Sequence, residues 1–423
     1  MPVEPVAAVA EEAGVVKHPS PLALWSGVAF FIYLLLVGVS TIGTGFKWAS
    51  GGADGAAAIF AFASNPVVGV ILGTLATALV QSSSTVTSVI VGLVAGGVPV
   101  SIAVPMIMGA NMGTTITNTI VSLGNLRQRG AFRASFEAAT VHDFFNLYSI
   151  VVFLPVEILF HPLERMGKVL AAALSGGPEA AVGGFNLVGA ATDPLGHGLR
   201  DLLGGLLPQT PAALLTITVG IGCIITAVLC LGGLLRAAMT GRAKGIIDTA
   251  IGRGPLTGIA SGTLVTVLVQ SSSTTTSLVV PLAGAGVLST RQIYPFTLGA
   301  NIGTCVTALL AATAITGPNQ ELALQIALVH LLYNVFGVLA FTLVPVLRDL
   351  PIHSSQWLGR RVEGHRGWAL GYIGGLFFVL PGVVFGAEYL LERRQPNLPV
   401  EVCAREDIAC LQAEVEAVDL RLE

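Results

Sequence analysis

Charge is what this sequence has least of. Only 11% of its 423 residues are Asp, Glu, Lys or Arg, where a soluble domain carries roughly 25%. From Ala56 to Leu126 there is no Asp, Glu, Lys, Arg or His at all. Together with 53% hydrophobic residues and a mean hydropathy of +0.80, this scarcity excludes a soluble globular domain and predicts a polytopic membrane protein. No basic patch is available for nucleic acid, and the net charge of -3 says little about partners because the charges lie in loops and tails. Cysteine is also sparse. Cys223 and Cys230 fall in an apolar span, Cys305 in another, and Cys403 and Cys410 in the C-terminal tail. They form neither a disulfide framework nor a metal-ligand spacing. No nucleophile–base pair or metal cluster is evident, which argues against an enzyme and against a bound cofactor. Met1–Pro21 lacks the basic start and apolar core of a secretory signal, so the first hydrophobic segment is expected to stay as an anchor.

Against this apolar background a polar stretch occurs twice. Gln81-Ser82-Ser83-Ser84-Thr85 and Gln270-Ser271-Ser272-Ser273-Thr274 each interrupt a hydrophobic run, where so many unpaired hydroxyls and amides are costly. Gly69–Val91 and Gly258–Val280 align without gaps and agree at about fifteen of twenty-three positions, an internal repeat. A second shared block follows, Gly109-Ala110-Asn111-Met112-Gly113-Thr114-Thr115 and Gly299-Ala300-Asn301-Ile302-Gly303-Thr304-Cys305. A third ends each half, His142 with Asn146 and His330 with Asn334.

The predicted organisation is a cytoplasmic segment 1–21, a membrane repeat 22–160, a connector loop 161–209, a second repeat 210–347, a basic loop with a final span 348–391, and an acidic tail from 392. Within the first repeat, Leu22–Ile42 is long enough to span. Val67–Val80 and Val86–Val98 are not, and they predict a helical hairpin that enters the membrane partway with the pentapeptide at its tip. The Gly-Ala-Asn blocks predict helices unwound at mid-membrane, which is tolerated only where backbone is buried or lines a watery cavity. Ile408, Leu411, Val415 and Val418 suggest a short amphipathic helix in the tail. Arg127, Arg129 and Arg133 follow the first Gly-Ala-Asn block, whereas Thr316–Glu321, after the second, has no Lys or Arg. The link before the second hairpin is basic, and that before the first has one Lys. Opposite bias in equivalent loops predicts halves that sit upside down to each other, with the N-terminus inside. The fold expected is therefore an all-α polytopic membrane protein of two inverted-topology repeats, each with a re-entrant hairpin and a broken transmembrane helix.

A half-helix starting at each tip offers free N–H groups and a positive dipole end, and serine hydroxyls add donors, so two converging tips would surround a small anion. Neither tip has Lys or Arg beside it. A multiply charged anion then needs co-bound cations, for which Gln81, Gln270, Asn111, Asn301 and the neighbouring threonines offer oxygen ligands of the kind Na⁺ prefers. Asp143 is the one acidic residue deep in a span, a cation-ligand candidate by default, with pairing to Arg133 or His142 as the structural alternative. His142, His330, Asn146 and Asn334 are as consistent with buried hydrogen bonding as with a site. The Gly-x-x-x-Gly pairs Gly69/Gly73 and Gly258/Gly262 suit close helix contact.

Through the paired Gln-Ser-Ser-Ser-Thr, the paired Gly-Ala-Asn-x-Gly-Thr and Ala139-Thr140-Val141-His142-Asp143-Phe144-Phe145-Asn146, the chain resembles the type II sodium–phosphate cotransporter family from about Leu22 to Leu391. The resemblance implies Na⁺-driven phosphate import across the cell membrane by an inverted-repeat core moving in elevator fashion. It implies phosphate on Ser82, Ser83, Ser84, Ser271, Ser272 and Ser273. It implies one sodium site at Gln270, Ser271, Ser272, Thr304 and Thr307, another involving Asn146, and a further ligand at Asp143. The loop that resembles Gln-x-Gly-Asp-Arg in animal members reads Asn125-Leu126-Arg127-Gln128-Arg129 here. Inorganic phosphate, sodium as co-substrate and the lipid bilayer are the partners implied; a homo-oligomer is left open. Two other readings stay in play: a cation-coupled carrier of another oxyanion or a dicarboxylate, and a non-transporting phosphate sensor or scaffold.

Overall fold

The structure, a computed structural model, describes residues 21–51, 55, 60, 63–175, 187–239 and 254–394, and every regular element among them is helical. Helix α1 (Pro21–Ser50) precedes a hairpin of α2 (Pro66–Val80) and α3 (Ser83–Ala95). Then come α4 (Val100–Thr114), the short α5 (Ile116–Ser122), the long α6 (Arg129–Phe160) and α7 (Pro162–Leu174). After α8 (Leu187–Leu206) the order is repeated. Helix α9 (Gln209–Met239) precedes a hairpin of α10 (Pro255–Val269) with α11 (Ser272–Ser277) and α12 (Val279–Gly284). Next are α13 (Thr290–Ala312), α14 (Gln320–Leu343) and α15 (Pro345–Gly364). Helix α16 (Gly367–Gly374) leads through one π turn (Gly375–Val379) into α17 (Leu380–Arg394). Contacts divide the chain into a unit that ends at Pro381 and one from Gly382, whose described residues continue α17.

Seven stretches among the described residues are long and apolar enough to cross a membrane: Leu22–Ser50, Val100–Asn125, Arg129–Phe160, Gln209–Leu234, Thr290–Ala312, Gly317–Leu343 and Gly367–Ala387. The hairpin helices fall short of that length. Helices α2 and α10 have 15 residues each, which reach about 22 Å at 1.5 Å per residue, against roughly 30 Å of hydrocarbon.

The two halves are packed alike. Helix α2 lies along α4, and α10 along α13. Both contacts are set by interleaved glycines. A side chain at Gly73 would collide with the carbonyl of Met106, and one at Gly109 with that of Val70. Gly262 meets Phe296 and Gly299 meets Ile259 in the same way. Across each contact a threonine donates to the glycine carbonyl, Thr74 Oγ1 to Gly109 O at 3.2 Å and Thr263 Oγ1 to Gly299 O at 3.0 Å. The halves are also exchanged at their ends: α7 packs on α14, α15 packs on α6, and α1 runs along α9.

Three expectations are corrected. The Gly-Ala-Asn blocks are not unwound. Helix α4 runs through Gly109–Gly113 and breaks only at Thr115, and α13 is continuous from Thr290 to Ala312 despite Pro295. The glycines there serve backbone contact with α2 and α10, and Thr114 and Thr304 bond back to Ala110 O and Ala300 O, keeping the helical turn. The expected connector loop holds α7 and α8, whose apolar faces pack on α14 and on α1 and α9. The expected basic loop after Leu347 is largely the helix α15, docked on α6. The amphipathic tail pattern, Cys403 and Cys410, the N-terminal segment before Pro21, and Arg242, Lys244 and Arg253 lie outside the described residues.

Candidate functional site

At each hairpin tip the chain turns on a glutamine. Gln81 and Gln270 adopt left-handed backbone, φ 59° and 55°, a conformation that costs a non-glycine residue about 1–2 kcal/mol. Each is held by the same device. The side-chain Nε2 donates to a carbonyl of the helix just ended, Gln81 to Ala78 O and Gln270 to Val267 O, both at 2.6 Å. The next residue caps the following helix. Ser82 Oγ accepts from Thr85 N, and Ser271 Oγ from Thr274 N, both at 3.2 Å. The helices therefore start inside the pentapeptide rather than after it, and Ser83, Ser84, Ser272 and Ser273 lie in their first turns.

The serines are not equivalent to one another. Ser82 and Ser271 are engaged as caps, and Ser273 Oγ approaches Thr114 O at 3.5 Å. Ser83 and Ser272, equivalent in the repeat and each 3% exposed, make no side-chain hydrogen bond among the described residues, and neither does Ser84. Each tip packs on the other half, α3 against α13 and α14, and α11 against α5. Asn118 Oδ1 on α5 accepts from Thr276 Oγ1 at 2.9 Å and from Ser277 Oγ at 3.1 Å.

Of the predicted cation ligands, the structure brings Gln270 and Thr307 together: Thr307 Oγ1 donates to Gln270 Oε1 at 2.8 Å, with Thr304 one turn earlier on α13. It also shows a counterpart that was missed. Thr117 Oγ1 donates to Gln81 Oε1 at 2.7 Å, and Thr117 stands where Thr307 does, six residues beyond the block asparagine. The repeat alignment contains this pair once it is carried past the Gly-Ala-Asn block.

Asn111, Asn301, Asn146 and the two histidines form one buried network that crosses between the halves. His142 Nε2 donates to Asn301 Oδ1 at 2.7 Å, and Asn301 Nδ2 donates to Asn146 Oδ1 at 2.7 Å. Asn146 Nδ2 reaches Asn111 O at 2.9 Å. In mirror fashion His330 Nε2 donates to Asn111 Oδ1 at 3.1 Å, and Asn111 Nδ2 to Asn334 Oδ1 at 2.8 Å. Every asparagine side-chain oxygen in the network accepts a hydrogen bond, and each histidine Nδ1 is left without a partner among the described residues.

Asp143 is apart from this network. Its Oδ2 accepts from Thr119 Oγ1 at 3.1 Å and from Tyr372 OH at 3.0 Å, while Oδ1 is buried with no hydrogen-bond partner among the described residues. The alternative pairing with Arg133 or His142 is not what the chain does. Arg133 binds Glu137 and Glu363 at 2.8 and 3.0 Å, and His142 binds Asn301. Asn125 donates to Ser135 Oγ at 2.6 Å, both beside Gly284 of the second hairpin, and Gln128 is exposed.

Duplicated helix-capped serine tips, cross-bonded at a buried polar centre, thus lie among helices long and apolar enough to cross a membrane. The chain belongs to the Na⁺/Pi-cotransporter family, whose model matches residues 34–173 and 223–349. It is similar to the sodium-dependent phosphate transport protein 2A of Rattus norvegicus (33% identity, 84% of this chain and 66% of the relative). It is likewise similar to the 2A protein of Ovis aries (34%, 88% and 68%) and the 2B protein of Homo sapiens (33%, 76% and 59%). The chain thus spans about two thirds of the length of these curated relatives. No solved structure matches it.

Proposed function

We propose that the chain is a sodium-coupled symporter that imports inorganic phosphate across the cell membrane and holds the anion between its two hairpin tips. The observation that carries this reading is the pair of serines Ser83 and Ser272, buried in the first turns of α3 and α11 with hydroxyls that no described residue engages. Free N–H groups and the positive end of the helix dipole favour an anion there, and each hydroxyl adds a donor. No Lys or Arg occurs in residues 56–126 or 254–289. Charge compensation must then come from co-bound cations, which makes transport cation-dependent. The relatives' names, which specify sodium dependence and phosphate, agree with this.

On this reading Ser82, Ser83, Ser84, Ser271, Ser272 and Ser273 form the phosphate cradle, with Ser83 and Ser272 as its direct side-chain donors. Gln270, Thr304 and Thr307, with Ser271 and Ser272, form one sodium site, and Gln81 with Thr117 is its counterpart. Asp143 offers a further ligand through its open Oδ1. Asn111, Asn146 and Asn301 hold the halves in register and reach a cation only through a second lone pair. Residues 22–160 and 210–347 are the two inverted repeats, supported by the opposite charge bias of equivalent loops. The sub-span length of α2 and α10 supports re-entrant hairpins. Helices α1 and α9, which pack along each other ahead of the hairpins, form the frame against which an elevator-like core moves.

The test is uptake of labelled phosphate into proteoliposomes under an imposed Na⁺ or K⁺ gradient. Uptake is expected with Na⁺ alone, and arsenate is expected to compete far better than sulfate or succinate. Equal uptake in the two gradients overturns the coupling, and stronger competition by succinate overturns the substrate.

A further inference from the structure

Away from the tips, a cleft of about 400 Å³ opens where α10 and α13 begin and α14 ends. Its walls are apolar: Ile259, Pro295, Leu298, Phe341 and Ile352 line it, and Leu298, Phe341 and Ile352 are almost wholly buried by the protein. Its volume lies within the roughly 300–1,000 Å³ of ligand-binding clefts, and water gains little from apolar walls of this kind. Its mouth is of another character. Arg291 and Arg348 line it, and both pair with Asp349, at 3.1 and 3.3 Å. One carboxylate shared by two guanidiniums leaves one positive charge in excess. Between mouth and wall sits Tyr294, 3% exposed, whose hydroxyl has no partner among the described residues.

The position of the cleft identifies the occupant. Arg348 belongs to α15, which also carries Arg360, Arg361 and an exposed Trp357, with the Arg361 guanidinium 5.5 Å from the Trp357 ring. A helix bearing Arg and exposed Trp beside spans rich in aliphatic residues marks the level of the lipid headgroups. An apolar slot that opens there under two arginines is complementary to one kind of molecule, with an acyl chain below and a phosphate above. We propose that this cleft binds an anionic phospholipid, with one acyl chain against Ile259 and Pro295, an ester carbonyl accepting from Tyr294 OH, and the phosphate between Arg291 and Arg348. The site would tie α10, α13, α14 and α15 to the surrounding leaflet.

The experiment is native mass spectrometry of the full chain in mild detergent, with phosphatidylglycerol or phosphatidylcholine added to the micelles. The unaltered chain is expected to retain phosphatidylglycerol at least about tenfold more strongly, a difference of about 1.4 kcal/mol. Arg291→Gln with Arg348→Gln is expected to erase the preference. Thr342→Trp, which crowds the cleft from α14 and leaves both arginines in place, is expected to lose the adduct. Equal retention of the two lipids by the unaltered chain overturns the proposal, as does an adduct that survives both variants. Displacement by millimolar inorganic phosphate would reassign the arginines to a free anion and overturn it too.

Discussion

Ser83 and Ser272 sit in the first turns of their helices with hydroxyls that no described residue claims, so replacing either takes a donor from a bound anion without breaking a hydrogen bond of the fold. A hydrogen bond to a charged group contributes about 1.5–3 kcal/mol, and each 1.4 kcal/mol is about tenfold in affinity. Ser83→Ala and Ser272→Ala are therefore each expected to raise the phosphate concentration for half-maximal uptake roughly tenfold or more, with thermal stability in detergent unchanged. Ser82→Ala is the contrast. Its Oγ accepts from Thr85 N and from Thr85 Oγ1, so the loss of that cap costs about 0.5–2 kcal/mol of stability along with any effect on binding. Concentration-dependent uptake and melting curves on the same preparations separate the two outcomes. Wild-type affinity in both Ser83→Ala and Ser272→Ala would reduce the tips to packing.

At the scale of helices, glycine decides more than serine. A Cβ at Gly73 or Gly262 would fall within contact distance of the Met106 or Phe296 carbonyl, and neither backbone can yield without separating α2 from α4 or α10 from α13. Overpacking of a tight contact costs typically about 1–3 kcal/mol, and a carbonyl in the way cannot be relieved by a rotamer. Gly73→Leu and Gly262→Leu are expected to lose most folded protein and uptake together, while Gly124→Ala, where nothing lies within 4 Å, is expected to behave as the unaltered chain. Size-exclusion profiles with uptake check this; full activity in Gly73→Leu would show that the helices separate without consequence. The same glycines explain what could and could not be read in the sequence. The twin pentapeptides, their hairpins and the long spans were legible, because a polar run in an apolar segment and a length below about 20 residues have few meanings. The Gly-Ala-Asn blocks were not, since glycine before asparagine is consistent both with unwound backbone and with close helix contact. Only the positions of Val70 and Ile259 opposite Gly109 and Gly299 choose between them. The Asn111–His330 and His142–Asn301 bonds join residues from different halves, a pairing that no local pattern encodes.

For the molecule as a whole, duplication is visible in every layer: the Gln81–Thr117 and Gln270–Thr307 bridges, the α2–α4 and α10–α13 contacts, and the exchange of α7 and α15 between halves. A tandem duplication with both copies in the same orientation would place the loops after α5 and α13 on one side of the membrane. Their composition says otherwise, with Arg127, Arg129 and Arg133 at the first and no Lys or Arg in Thr316–Glu321 at the second. Basic residues near span ends are retained on the cytoplasmic side, so the halves are inverted if this bias governed insertion. Arg127 and Pro318 are both exposed, in the turns that follow α5 and α13, and report the two loops directly. In a chain with its five cysteines changed to serine, Arg127→Cys is expected to react with a membrane-impermeant maleimide only after the cells are opened. Pro318→Cys is expected to react in intact cells. Labelling of both from the same side would make the repeats parallel, and would leave the two hairpins entering from one leaflet with no opposed tips to enclose an anion.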